Sequence, residues 1–251
     1  MPPDLPEELL DRIVDLLRDS RDALRSCCFV SKSWIPRARK HLFAAVFFET
    51  PRQVQSWKDT FPDPSTSPAR YVEYLGIGSP WFVTKVGVEE GRWISTFLRV
   101  VHLGIVIRRV GTDRYLTPFE GLSTVTSLSI DYTADSHSRI SDFIRSFPLL
   151  DNLYVRSDRS ADSGDDIDGR QTTPQPSNSP PFTGSLKVSI CGGMKQLVSR
   201  LLAVPHGLHF QNLDLTWKHK TDLSLTAALV ERCSSTLECL KIDGGFIGIP
   251  I

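Results

Sequence analysis

Long apolar runs are missing from this chain. No stretch approaches the roughly 18 consecutive apolar residues that a spanning helix needs, so no membrane segment is expected. The first turns are acidic and amphipathic, unlike a secretory leader. An excess of one charge is missing too. Lys plus Arg and Asp plus Glu both number 29, which gives no sign of nucleic-acid or membrane-surface binding. Cysteine is scarce. The five, at 27, 28, 191, 233 and 239, are odd in number and lack the paired spacing of metal ligands. Reduced thiols in the cytoplasm or nucleus are the simplest account.

Catalytic and cofactor signatures are also missing. There is no nucleophile elbow, no His-Glu-x-x-His and no phosphate loop. Gly76-x-Gly78 lies in a strand pattern and is followed by Pro80, which argues against a dinucleotide site. The six histidines are scattered at 41, 102, 137, 206, 209 and 219. His206 and His209 have no Cys or carboxylate at ligand spacing, so loop histidines are favoured over a metal site. Asp166-Ile167-Asp168-Gly169 hints at calcium but lacks the terminal Glu of a calcium loop. Arg37-Ala38-Arg39-Lys40 reads as a solvated helix face more readily than as a localisation signal or phosphate contact. No catalytic residue, metal or cofactor is assigned.

What the chain does have is a repeat. Beginning at Val46-Phe47-Phe48, an apolar-x-apolar motif returns as Leu75-Gly76-Ile77, Leu103-Gly104-Ile105, Leu128-Ser129-Ile130 and Leu153-Tyr154-Val155. It continues as Leu186-Lys187-Val188, Leu213-Asp214-Leu215 and Leu240-Lys241-Ile242, with spacings of 25 to 33 residues. Several spacers carry helical apolar stripes: Val54, Trp57 and Phe61; Ile94, Phe97 and Leu98; Ile140, Phe143, Ile144 and Phe147. Leu197, Val198, Leu201 and Leu202 form another, as do Leu225, Ala228, Leu229 and Cys233. Thr117-Pro118-Phe119-Glu120 reads as a capping box opening one helical turn.

Strand then helix, repeated, predicts parallel strands joined by crossovers, each unit stacked on the next. The expected fold over 44–251 is α/β, a leucine-rich-repeat-like solenoid with a curved parallel sheet inside and helices outside. A doubly wound globular sheet is the alternative. One spacer departs from the rest: 157–184 is rich in Asp, Ser and Pro and poor in apolar residues, and reads as a disordered loop. It would leave a gap between the flanking helices, with Phe182 to fill it. Thr173-Pro174 and Ser179-Pro180 are candidate proline-directed phosphorylation sites. The last nine residues, four of them large apolar, follow the final strand without a helix, which suggests truncation or partner use more than a self-made cap.

The x positions of the strands face away from the leucines. In a solenoid they line the concave surface, where Tyr74, His102, Asp131, Tyr154, Arg156, Lys187, Asp214 and Lys241 are candidate partner-binding residues.

At the N-terminus, Leu5-Pro6-Glu7-Glu8-Leu9-Leu10 begins a helix with Ile13, Leu16 and Leu17 on its apolar face. Ser20 is the expected N-cap of a second helix carrying Leu24, Cys27, Cys28 and Val30. Pro36 is placed at the first position of a third, running to Phe43. So small a unit has more apolar positions than its core can cover, so part of it is an expected interface. The pattern Leu5-Pro6-x-x-Leu9, Ile13, Leu17, Leu24, then Val30-Ser31-Lys32-x-Trp34, resembles the F-box motif. Cys27-Cys28 and Pro36 depart from it and blur where it ends. With the repeats, the whole chain resembles the F-box/leucine-rich-repeat family. That resemblance implies an F-box over 1–43 docking on the Skp adaptor and through it on a cullin. It implies a non-enzymatic, substrate-recognition role in a ubiquitin ligase, with the repeats holding an unidentified protein substrate. A repeat scaffold that assembles no ligase is the alternative.

Overall fold

The computed structural model describes residues 6–63, 65–78, 93–107, 116–132, 137–157, 182–190, 195–202, 208–217 and 223–244. Three helices come first: α1 (Glu7–Leu16), α2 (Arg21–Val30) and α3 (Ile35–Leu42), with a 3-10 turn at Lys32–Trp34. Pro6 sits just outside α1 and its carbonyl accepts from the Leu9 and Leu10 amides at 3.0 and 3.2 Å. Ser20 caps α2 by accepting from the Ala23 amide at 3.4 Å. Pro36 is the second residue of α3 rather than the first, still in the turn where a missing N–H leaves no bond unmade. Val14, Leu24, Cys27 and Ala38 form a small closed core, with Leu17, Cys28, Trp34 and Leu42 packed against it.

Among the described residues eight strands follow: β1 (Ala45–Phe48), β2 (Tyr74–Ile77), β3 (His102–Ile107) and β4 (Ser127–Tyr132). Then come β5 (Asn152–Ser157), β6 (Phe182–Ile190), β7 (Leu208–Trp217) and β8 (Cys239–Gly244). They make one sheet, all parallel, in sequence order from β1 to β8. A doubly wound sheet reverses its strand order at a switch point, and this one has no reversal. The architecture is α/β, compatible with a β/α solenoid.

The repeat motif sets the register. Val46, Leu75, Leu103, Leu128, Leu153, Leu186, Leu213 and Leu240 are paired in one continuous row across the sheet. The motif extends further back than the strands. Ala69-x-x-Val72, Phe97-x-x-Val100, Leu122-x-x-Val125 and Phe147-x-x-Leu150 stand six and three residues before the motif leucine, and all eight are buried. Each of these turns delivers the chain in the same way. The amide pairs 73/74, 101/102, 126/127 and 151/152 donate to the carbonyls of Ala44, Glu73, Val101 and Thr126 at 2.8–3.0 Å.

The other face of the core is closed by α4 (Pro51–Thr60), α5 (His137–Arg145), α6 (Lys195–Leu202) and α7 (Leu223–Cys233). They bury Val54; Ile140, Phe143 and Ile144; Val198 and Leu201; and Leu229 and Cys233. α4 begins with a capping box, Thr50 accepting from the Gln53 amide at 3.3 Å while Gln53 accepts from the Thr50 amide at 3.1 Å. The box expected at Thr117 does not form. The segment is a 3-10 turn over Thr117–Phe119 with no side-chain cap, held by burial of Phe119. Leu98 leaves its expected stripe as well: the turn after Ile94 buries Phe97 and points Leu98 to solvent at 69% exposure.

The spacer read as 157–184 is shorter at both ends, because Ser157 closes β5 and Phe182 opens β6; the residues between lie outside the described set. Among the described residues the gap expected between the flanking helices is not found, since α5 contacts α6 and α6 contacts α7. The chain's last nine residues also fall largely outside the described set, as does Leu5. An aromatic cluster joins the three helices to the sheet. Phe43, after α3, meets Trp57 and Phe61 edge-on at 5.8 and 6.0 Å, and Trp57 meets Phe48 of β1 at 5.6 Å. Among the described residues no helix is long and apolar enough to cross a membrane.

Candidate functional site

Two exposed surfaces carry the residues singled out by sequence. On the helices, Leu9, Ile13 and Val30 are 44%, 39% and 64% exposed, and the neighbouring Leu16 and Phe29 are 84% and 90% exposed. Pro6 is exposed beside them in sequence. Leu24 is wholly buried, and Leu17 and Trp34 pack against the same small core. The candidate motif therefore divides into residues that build the unit and residues that the unit leaves uncovered.

A polar clamp fixes the relative setting of α1 and α3. Arg37 donates from Nε to Asp15 Oδ1 at 2.6 Å and from its terminal nitrogen to Oδ2, a bidentate pair. His41 Nε2 lies 2.7 Å from Asp15 Oδ1. Arg37, then His41, hold the Asp15 carboxyl well below the usual carboxylate range by bonding its charged form.

The second surface is the sheet face opposite the buried leucines. Strand alternation puts Phe47, Gly76, Gly104, Ser129, Tyr154, Lys187, Asp214 and Lys241 in one register row. At the β1 end the face is aromatic, Phe47 of this row meeting Tyr74 and His102 of the row before it. Phe47 and Tyr74 rings are 4.8 Å apart, and Tyr74 stacks on His102 at 6.2 Å. Glycine makes this possible, because a Cβ at Gly76 would strike the Phe47 ring and one at Gly104 would stand 3.0 Å from the Tyr74 hydroxyl. At the β8 end the face is charged. Asp214 Oδ2 lies 3.0 Å from Lys187 Nζ and 3.9 Å from Lys241 Nζ. Lys187 also stands 5.8 Å over the Tyr154 ring, and its partnership with Asp214 raises its pKa. Tyr154, Lys187, Asp214 and Lys241 line a groove of about 420 Å³ across β4–β8, together with Ser127, Asn152, Ser185, Asn212 and Cys239. Asn212 donates to the Ser185 hydroxyl at 3.2 Å.

The structure thus brings Tyr154, Lys187, Asp214 and Lys241 into one groove and Tyr74 with His102 into an aromatic ladder. Asp131 and Arg156 are register partners in the next row, outside the groove. Sequence reasoning missed Phe47, Ser185 and Cys239. Phe47 lies between two inward residues, and the two-residue period alone puts it outward. Ser185 and Cys239 each stand one place before a motif leucine, in register with Asn212.

Among the described residues, Cys27, Cys28, Cys233 and Cys239 form no disulfide, and no three His, Cys, Asp or Glu side chains cluster as metal ligands. Comparison of the chain with protein-family models, with curated proteins and with solved structures finds no match.

Proposed function

We propose that the chain is the substrate-recognition subunit of a Skp–cullin–F-box ubiquitin ligase, with residues 1–43 as the F-box and 44–251 as a leucine-rich-repeat-like solenoid that holds the substrate. The observation that carries this reading is the exposure of Leu9, Ile13 and Val30, all at positions of the F-box-like motif, on a unit whose core closes without them. Large apolar side chains left in water by a folded unit mark a docking surface. The unbroken leucine row from β2 to β8 supports the solenoid. The mechanism is proximity rather than chemistry. The helices hold the chain on the adaptor, the sheet face holds the substrate, and the ligase's other subunits meet the substrate's lysines at high effective concentration. The site of action is then the cytoplasm or nucleus.

The test is capture of the purified Skp adaptor by the wild-type chain and by a Leu9→Ala/Ile13→Ala/Val30→Ala variant. Full burial of each such side chain contributes about 1.5–3 kcal/mol. Partial burial on docking is enough for the triple variant to bind at least tenfold more weakly while its helical circular dichroism is kept. A wild-type chain that does not bind the adaptor, or a variant that binds equally, sinks the ligase reading and leaves a repeat scaffold.

A further inference from the structure

The charged end of the sheet face has an imbalance. Among the described residues lining the groove over β4–β8, three side chains are charged: Lys187, Asp214 and Lys241. A single carboxylate oxygen of Asp214 faces both ammonium groups, at 3.0 and 3.9 Å. Two cations against one anion leave one unit of positive charge in the groove. Lys187 is held in place from two sides, by Asp214 and by the Tyr154 ring. Lys241 is the more loosely held, at 68% side-chain exposure. The rest of the lining is uncharged. The Asn152 carboxamide donates one N–H to the Asp151 carboxylate at 3.0 Å and the Asn212 carboxamide one to the Ser185 hydroxyl at 3.2 Å, which leaves each a second N–H that suits an oxygen acceptor.

We propose that this groove seats a single carboxylate, an Asp or Glu side chain of an extended protein segment, between Lys187 and Lys241. The proposal rests on the reading of the sheet face as the partner-binding surface and names the chemistry of the partner. Charge selects the ligand. One carboxylate neutralises the surplus of the lining, with the second N–H of each asparagine carboxamide beside it as a further donor. A doubly charged phosphate facing Asp214 leaves a net negative groove and an uncompensated repulsion. Electrostatic complementarity of this kind sets specificity and register more than raw affinity.

The experiment is selection of a displayed library of random 12-residue peptides against the full chain and against a Lys187→Glu/Lys241→Glu variant. The wild type is expected to select peptides with one shared Asp or Glu. Changing that residue to Asn or Gln weakens a synthetic peptide at least tenfold, and raising salt weakens the parent peptide but not the amide version. The charge-reversed variant is expected to lose the acidic peptides and select Lys or Arg at the same place. A milder Lys187→Gln/Lys241→Gln variant, at exposed positions, gives the loss without the reversal. Three outcomes overturn the proposal: no acidic preference, unchanged binding by both variants, or tenfold tighter binding when phosphoserine replaces the acidic residue. Adaptor capture, measured on the same preparations, depends on the helices and not on these lysines. Loss of adaptor binding alone therefore counts against the ligase and not against the groove.

Discussion

At the scale of single residues, Asp15 is heavily committed among the described side chains outside the sheet. It is 37% exposed, yet it takes a bidentate arginine and a histidine from α3. Charge-assisted bonds are worth about 1.5–3 kcal/mol when sheltered. Solvent screening at this exposure reduces that to about 1 kcal/mol. Asp15→Asn is therefore expected to lower stability by about 1 kcal/mol at neutral pH. The pH dependence has a definite sign. The folded-state pKa of Asp15 is depressed below its ordinary value of 3.8, with Arg37 the largest cause and His41 the next. Stability from a depressed carboxyl is full above the unfolded value and is lost as pH falls through the folded one. Thermal melts should separate wild type from Asp15→Asn at pH 7 and bring them together as the acid range below 3.8 is entered. A difference that persists unchanged to the lowest pH would show that Asp15 acts by packing and not by charge.

Among the elements, β6 and β7 depart most from their motif. The apolar-x-apolar triplets mark only their middles, and both strands begin earlier, at Phe182 and Leu208. Leu208 and Phe210 are buried, and so are Leu213 and Leu215, a change of parity within one strand. A bulge allows it. Gly184 pairs with Phe210 and Ser185 with Asn212, so Gln211 is the extra residue. Opposite it, Gly184 has φ of 78°, and a Cβ there would collide with Asp151. The Ser185 amide donates to the Asp151 carbonyl at 2.7 Å, which ties β6 to the turn before β5. Gly184→Ala combines left-handed strain with that collision and is expected to cost about 1–3 kcal/mol. Urea denaturation would read the loss, and a midpoint equal to wild type would mean that the bulge relaxes freely.

At the scale of the molecule, the described residues form two buried clusters, one in the helices and one running through the sheet and its outer layer. The aromatic contacts of Phe43 with Trp57 and Phe61 join them without merging them. Cooperative units follow contiguous cores. Leu24→Ala and Leu128→Ala each empty a wholly buried site and are expected to cost about 2–5 kcal/mol. Hydrogen exchange should then rise mainly in residues 7–42 for the first and mainly in β2–β5 for the second. An equal rise everywhere in both variants would mean that a single unit unfolds as one.

Much of this was already fixed by the amino-acid order. A strand tolerates only two facings, so a Leu-x-Leu triplet determines which side chains are inward, and a regular spacing determines that equivalent triplets pair. The row from Val46 to Lys241's neighbour Leu240 was legible for that reason, and so were the Ser20 cap and the stripe of α5. Only the tertiary structure decided which apolar residues of α1 stay outside. Leu9, Ile13 and Val14 are equally apolar in sequence, but α3 approaches along one side and covers Val14 alone. It also decided that Thr117 does not cap, that α5 and α6 touch, and that two lysines on different strands share one aspartate. Each of these depends on the distance between segments far apart in the chain. Local periodicity sets which way a residue faces and carries no information about what it meets.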